Sequence, residues 1–272
     1  MPLSRRNGID IWYEVAGEGS PIVLAHANPF DHDLWLYQSA HFSTWFRVVN
    51  VDIRSYGRSA KVGTPFPFDD MVDDVWGVMR DADADHNAVI MGISVGSRLV
   101  MRLALDHPDA IRAVVAVGSG AEARGANFDR RIDGYEGDDF AAYHARHLRE
   151  LVSPEFPKTK LGAHLLGMFS ERDPWLSGKA IAQGFRALAV ADISDRIGAF
   201  ETPVLVVNGE FDNALARGRA MAERLPNGRH VMIPGTGHAC CLEDPAAFDA
   251  AVIDFLQRWN AMPGSPAPAS RR

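Results

Sequence analysis

A serine between two glycines is the first feature of this chain that could do chemistry. Ser94 has Gly92 and Gly96 two positions to either side, in the pattern G-x-S-x-G, and it follows the apolar run 89–91. A serine that must stand clear of a strand before it and a helix after it needs a tight turn, in which glycine leaves room for neighbouring backbone. The pattern predicts a nucleophile, although a chain with 24 glycines can also form such a turn without chemistry.

Two further polar residues could activate this serine. A serine hydroxyl is a weak nucleophile, so it needs a base to accept its proton and a third group to orient that base. Asp212 follows the apolar run 204–207, and His238 follows the run that ends at Ile233. The carboxyl ends of parallel strands meet at one edge of a sheet. Ser94, Asp212 and His238 are therefore expected to converge as nucleophile, acid and base.

Apolar runs alternate with helical patterns along the chain, which predicts an α/β fold with a largely parallel sheet. Strands are expected over residues 9–15, 22–25, 46–51, 89–91, 113–117, 204–207 and 230–233, and helices near 69–82, 98–105, 214–225 and 245–259. The first two strands are expected to form an antiparallel hairpin.

The alternation stops after residue 118, and the chain then reads as helices and loops. We therefore expect a core formed by residues 1–120 and 201–262, with a helical cap insertion over 121–200. Residues 263–272 lack a core-forming pattern and are expected to be a disordered tail.

Four motifs in this order resemble those of the α/β-hydrolase superfamily. They are Gly92-Ile93-Ser94-Val95-Gly96, Gly209-Glu210-Phe211-Asp212, Gly237-His238 followed by Glu243 and Pro245, and Asp52-x-Arg54-x-x-Gly57-x-Ser59. The resemblance covers nearly the whole chain. It implies an eight-stranded type of sheet flanked by helices, a cap domain, and a serine hydrolase of the enol-lactonase and carboxylesterase group. The expected substrate is a small carboxylic ester, thioester or lactone, cleaved through an acyl-enzyme on Ser94.

Acyl transfer also needs donors for the negative charge that develops on the carbonyl oxygen. The backbone N–H of Val95 is the first candidate for this oxyanion hole. His26-Ala27-Asn28-Pro29 resembles the family's H-G-x-P segment and implies that the N–H of Asn28 is the second, although Ala27 replaces the usual glycine. The Asn28 side chain also fits a substrate contact, a turn-stabilising role, or the halide contact of dehalogenases. Dehalogenation is disfavoured because those enzymes use an aspartate nucleophile.

Other side chains carry weaker expectations. The candidate substrate contacts are Asn28, Phe30, Tyr143, Met168 and Trp175. His26 is expected to hold its own loop, and Arg98 to pair with an acid or else to reach an anionic substrate group. His144 and His147 lie three apart on a predicted helix, but without matching acidic or cysteine ligands we expect satisfied or solvated roles and no metal. Glu210 and Glu122 are the alternative acids if Asp212 points away.

Composition limits the partners. The net charge of −7 argues against nucleic acid and anionic membranes, so a small-molecule substrate is expected. No stretch is long and apolar enough for a membrane span, and no secretory signal is apparent. Cys240 and Cys241 are adjacent and unsuited to a bridge, which favours a reducing, cytoplasmic compartment. The chemistry requires no cofactor, and the sequence leaves monomer and homo-oligomer open.

Two other functions are compatible with the same serine. One is hydrolysis of a carbon–carbon bond in a diketo acid, which is disfavoured because Gly209-Glu210-Phe211-Asp212 replaces the G-R-x-D usual in those enzymes. The other is a ligand-binding receptor or pseudoenzyme on the same fold, against which the complete set of catalytic residues argues.

Overall fold

An eight-stranded sheet with helices on both faces forms the centre of the molecule. The computed structural model describes residues 3–6, 8–123, 127–171 and 175–264. Its strands are β1 (Leu3–Arg6), β2 (Ile9–Ala16), β3 (Pro21–Ala25), β4 (Arg47–Val51), β5 (Ala88–Ile93), β6 (Ile111–Val117), β7 (Val204–Gly209) and β8 (Gly228–Ile233). They lie in the order β1-β2-β4-β3-β5-β6-β7-β8. The predicted α/β architecture, a mostly parallel sheet flanked by helices, is confirmed.

The strands from β4 through β3 to β8 are parallel, whereas β1 and β2 are antiparallel to their neighbours. The expected hairpin between β2 and β3 is therefore wrong, because β2 pairs with β1 and β4 instead. Gly17, with a φ of 75°, lies so close to the carbonyls of Ser43 and Phe46 that a side chain would collide with them. The turn after β2 thus packs on the residues that lead into β4, which brings β4 between β2 and β3.

Helices cover both faces of the sheet. They are α1 (Leu36–Phe42), α2 (Phe68–Asp81), α3 (Val95–Asp106), α4 (Asn127–Glu136), α5 (Phe140–Glu150), α6 (Lys160–Ser170), α7 (Gly178–Ala189), α8 (Leu215–Arg224), α9 (Cys240–Glu243) and α10 (Pro245–Arg258). Successive side chains of β5 alternate between two cores: Ile90 faces α2, α3 and α8, whereas Met91 faces α1, α9 and α10. Burial on both faces explains why the central strands are continuous apolar runs.

Helices α4 to α7 lie between β6 and β7 in the sequence, and we call them the inserted helices. As predicted, the described residues between these two strands include no sheet strand. The division into core and cap domains stays a prediction. The expected tail begins at residues 263 and 264, and its remainder, residues 265–272, lies outside the described residues.

None of the helices in the described ranges is long and apolar enough to cross a membrane.

The junction of β5 and α3 is very tightly packed. A Cβ on Gly92 would lie 2.2 Å from the carbonyl oxygen of Gly96, and a Cβ on Gly96 would lie 2.2 Å from that of Ala25 at the end of β3. Such distances are far below a van der Waals contact, and the obstacles are backbone atoms that cannot rotate away. Glycine at both positions therefore lets α3 start directly against β3 and β5.

Replacing Gly92 with alanine should destabilise the fold by about 1–3 kcal/mol, because the added carbon overpacks rigid backbone. Urea denaturation would measure the change in the free energy of unfolding. Gly167→Ala in α6 is the matched control, since nothing lies within 4 Å of its added carbon. That variant should be neutral or up to about 1 kcal/mol more stable, because alanine favours a helix. Equal stabilities of the two variants would contradict the packing argument.

Candidate active site

Ser94 occupies the turn between β5 and α3 in a strained conformation. Its φ is 58° and its ψ is −111°, a region that residues with side chains rarely adopt. The Ser94 N–H donates to the carbonyl of Val117 at 2.8 Å, which ties the turn to the end of β6. The predicted strand, sharp turn and helix are all present. Ser94 is partly exposed, as a residue that meets a substrate must be.

Asp212 and His238 form a hydrogen-bonded pair beyond the ends of β7 and β8. His238 Nδ1 lies 2.9 Å from Asp212 Oδ1, and both residues are largely buried. Asp212 also accepts hydrogen bonds from the backbone N–H of Ala214 at 2.9 Å and from the side-chain amide of Asn208 at 2.8 Å. Burial raises the pKa of the Asp212 carboxyl, but His238 and these donors outweigh it, so the pKa is lowered overall. Asp212 is therefore an acceptor that fixes Nδ1 of His238 as the protonated nitrogen.

The His238 ring packs against the end of β6, and its loop is anchored by hydrogen bonds. One side faces Gly118 at the end of β6, where a Cβ would lie only 2.6 Å from the ring carbon Cε1. The loop that carries the ring is anchored by the N–H of Ala239, which donates to the carbonyl of Leu151 at 2.8 Å. Glu243 accepts from the N–H of Gly237 at 2.7 Å. Because Nδ1 is engaged by Asp212, the ring presents Nε2 as its other nitrogen.

The two backbone groups expected to hold an oxyanion have no partner among the described residues. Neither the N–H of Val95 nor that of Asn28 donates to another group there. Asn28 precedes a cis peptide bond to Pro29, and its side-chain oxygen Oδ1 is buried without a hydrogen bond from any residue that the structure describes. Unbonded amides near a nucleophile are what an oxyanion hole requires.

A cavity of about 130 Å³ brings several of the predicted residues together. Its lining includes Asn28, Ser94, Arg98, Gly118, Glu122, Phe128, Arg131, His147, Leu151, Phe185, Arg217 and His238. Ser94 and His238 thus share one cavity with Asn28, and Asp212 supports it from behind His238. The lining mixes apolar rings with three arginines, so it suits a small molecule with polar groups.

Four expected substrate contacts are absent from the described lining of this cavity. Phe30 is buried against Phe169, with ring centroids 4.7 Å apart in an edge-to-face arrangement. Tyr143 packs edge-to-face on Tyr135, Met168 packs against the core, and Trp175 is 71% exposed. For Tyr143 and Met168, spacing along a helix gives the face of the side chain but does not tell whether that face meets a cavity or another helix. Phe30 lies in the loop after β3, where spacing gives no face at all.

Arg98 does not form the expected ion pair with an acid, whereas its alternative role, contact with an anionic substrate group, stays a prediction because Arg98 lines the cavity. Its guanidinium donates to the carbonyls of Gly120, Glu122 and Ala191, and no carboxylate lies within ion-pair distance among the described residues. Burial lowers its pKa to about 10, so it remains charged at neutral pH. Backbone carbonyls at two loop ends thus bind its two terminal nitrogens in place of a carboxylate, while Nε is buried without a hydrogen bond to any described residue.

His26 holds its own loop, as predicted. Its Nδ1 lies 2.9 Å from the carbonyl of Ala27, and its Nε2 accepts from the N–H of Ile53 at 3.0 Å. Burial lowers the pKa of His26 to about 4, outweighing the nearby Asp52, which raises it. The ring is thus a neutral bridge between the loops after β3 and β4.

His147 lines the cavity, a position that the sequence did not predict. His147 and His144 lie on α5 and are both buried, so neither is solvated. Burial lowers the pKa of His144 to about 4 and that of His147 well below 6.5, the latter helped by the positive charge of Arg131. The signal in the sequence was the spacing of three, which puts both rings on one helix face.

Comparison with known proteins agrees with this geometry. A sequence model of the alpha/beta hydrolase fold matches residues 20–245. The pimeloyl-acyl-carrier-protein methyl ester esterase of Photorhabdus laumondii is 26% identical, over 92% of this chain and 97% of that protein. The non-heme chloroperoxidase CPO-A1 of Kitasatospora aureofaciens is 26% identical, over 95% of this chain and all of that protein.

A solved structure gives the same picture. The enol-lactonase from Burkholderia xenovorans LB400 superposes with a TM-score of 0.87 at 25% identity, covering 94% of this chain and all of that one. The likeness therefore spans the sheet and the inserted helices together.

Acid should destabilise the fold through its buried histidines. His26 and His144 stay neutral when folded because their pKa is about 4, whereas the unfolded chain takes up protons below pH 6.5. Above pH 6.5 these histidines are neutral in both states and leave the free energy of unfolding unchanged. As the pH falls from 6.5 towards 4, only the unfolded chain takes up the protons, so the free energy of unfolding falls. At pH 5 the free energy of unfolding should be lower than at pH 7 by about 2 kcal/mol for each histidine.

Urea denaturation at pH 7 and pH 5 would measure this difference. His144→Phe keeps a ring but removes one titrating group, so its difference between the two pH values should be smaller by about 2 kcal/mol. A wild-type protein equally stable at both pH values would show that these histidines do not oppose protonation.

Proposed function

The chain belongs to the alpha/beta hydrolase fold family and is a hydrolase, and we propose that it cleaves small carboxylic esters, thioesters or lactones through an acyl-enzyme on Ser94. The observation that carries this proposal is the hydrogen bond between Asp212 and His238. His238 lines the same cavity as Ser94. Ester and lactone hydrolysis by similar proteins supports the same class of substrate.

In the first half of the reaction, Ser94 Oγ attacks the carbonyl carbon of the substrate while His238 Nε2 accepts the hydroxyl proton. Asp212 keeps the proton on Nδ1 and stabilises the imidazolium that forms. The backbone N–H groups of Val95 and Asn28 donate to the oxyanion, and removal of one such donor typically costs about 10²- to 10³-fold in rate. His238 then protonates the leaving oxygen or sulfur, and the acyl group remains on Ser94.

In the second half, His238 removes a proton from a water molecule that attacks the acyl-enzyme. The same two N–H groups hold the second oxyanion, and the intermediate collapses to the free carboxylic acid as Ser94 regains its proton from His238. Ser94, His238 and water carry out every bond-forming and proton-transfer step, so the proposed reaction uses no cofactor.

The cavity limits the substrate. A volume of about 130 Å³ supports a short acyl or alcohol group near Ser94. The side-chain amide of Asn28 borders the same space and is proposed as a polar substrate contact. We further propose a small-molecule partner and a cytoplasmic location, which the free, buried Cys240 and Cys241 support.

The carbon–carbon hydrolase remains the second candidate for this serine. Glu210 stands where such enzymes usually carry arginine, which favours the ester. Membership in a hydrolase family favours an enzyme over a receptor. Parallel assays of an aryl ester and a diketo acid separate the first two, since exclusive turnover of the diketo acid would overturn the ester proposal.

A fluorophosphonate probe should label the wild-type protein, because an activated serine displaces fluoride from phosphorus. Ser94→Ala should abolish labelling and lower ester hydrolysis to background. Gel fluorescence measures the labelling, and circular dichroism establishes that both proteins are folded. A folded wild type that resists the probe would mean that Ser94 is not activated.

Asp212→Asn should lower kcat for an ester by on the order of 10⁴-fold, because an amide in place of the carboxylate favours the wrong histidine tautomer. Glu210→Gln is the matched control: it lies in the same loop, and its carboxylate accepts instead from the N–H of Gly235 at 2.8 Å. Its kcat should stay within several-fold of the wild type. Steady-state kinetics would assign the acid to Glu210 if the two results were reversed.

A further inference from the structure

His147 is a second buried histidine on the wall of the cavity that holds Ser94 and His238. It comes from α5, one of the inserted helices, and only 3% of its surface is exposed. The reaction proposed above makes no use of it. The ring lies among the aromatic rings of Tyr135, Tyr143 and Phe185. A polar ring buried there needs a hydrogen-bond partner for each of its two nitrogens.

The first nitrogen is engaged within the protein. His147 Nδ1 lies 2.7 Å from the hydroxyl oxygen of Tyr135 on α4, and both residues are buried. A phenol hydroxyl is an O–H donor, and a neutral imidazole has one nitrogen that accepts. Assigning Tyr135 as the donor in this hydrogen bond places the single ring proton of His147 on Nε2.

The second nitrogen has no partner among the described residues, and the ring borders the cavity. Burial and the positive charge of Arg131, which pairs with Glu150 at 2.8 Å, keep His147 neutral and lower its pKa well below 6.5. A neutral ring remains a donor at Nε2 without adding a charge beside His238. Its free N–H is therefore suited to an uncharged acceptor oxygen on a bound molecule.

From this geometry we infer that His147 determines specificity by donating from Nε2 to an acceptor oxygen, such as a keto or ether oxygen, that the substrate carries beyond its scissile carbonyl. The inference rests on the proposed ester hydrolysis and narrows its substrate class. A site that hydrogen-bonds such an oxygen discriminates against the analogue that lacks it, since the donor is then left unpaired.

The test compares 4-nitrophenyl pentanoate with its 3-oxo and 4-oxo analogues. The measured quantity is the ratio of kcat/KM for each oxo ester to that for pentanoate, which cancels general losses of activity. In His147→Phe this ratio should fall about three- to tenfold for at least one oxo ester, the range of one neutral hydrogen bond. His144→Phe is the matched control, because His144 is buried on the same helix without lining the cavity, and it should keep the wild-type ratio.

Tyr135→Phe is a second variant, which tests the role of His147 if His147→Phe does not fold. Loss of the hydroxyl frees Nδ1 and lets the proton leave Nε2, so the same ratio should fall in the same direction. Unchanged ratios for both oxo esters in the folded variants would overturn the role of His147. A wild type that hydrolyses none of the three esters would instead contradict the proposed function, so the two failures are distinguishable.

Discussion

Close backbone contact at the carboxyl ends of three neighbouring strands is the constraint on which the site depends. Gly92 packs against the first turn of α3, and Gly118 packs against the His238 ring. Gly209 packs against the loop before His238, and a Cβ on Gly209 would lie 2.0 Å from the carbonyl oxygen of Gly237. A side chain at any of these positions would push one of the reacting groups away. Side chains from four separate loops can therefore meet only because the strand ends beneath them are bare.

The same closeness imposes the strain at Ser94. A residue with φ near 58° and ψ near −111° is costly in isolation, by about 1–3 kcal/mol, and persists only when its surroundings determine it. Packing of α3 on β3 and β5, together with the hydrogen bond from Ser94 to Val117, provides those surroundings. The buried sheet thus stabilises a conformation that the turn alone would not keep, and the serine side chain stands clear of both elements.

Local sequence predicted the parts of this arrangement that depend on residue type. Sterics and burial restrict which residues fit in a sharp turn or a buried strand. The sequence therefore predicted the turn at Ser94, the apolar central strands, and the positions of Asp212 and His238 after strands. The β2–β3 hairpin was predicted wrongly, since the placement of Gly17 against the segment before β4 is a long-range contact. The bonding of Arg98 and the cavity position of His147 were missed for a related reason, as both depend on how distant helices pack.

Arg98 has a consequence for how much the inserted helices can vary. It lies on α3, one turn from Ser94, and it gathers the carbonyls of Gly120 and Glu122, where the chain leaves β6, with that of Ala191, where the chain returns. The N–H of Ile193 donates to the carbonyl of Ala121 at 3.1 Å between the same two points. Closing a loop whose ends already meet costs little more as it lengthens, about 0.6 kcal/mol for each doubling. The inserted helices can therefore be lengthened or shortened at low entropic cost without separating the two chain ends that Arg98 joins one turn from Ser94.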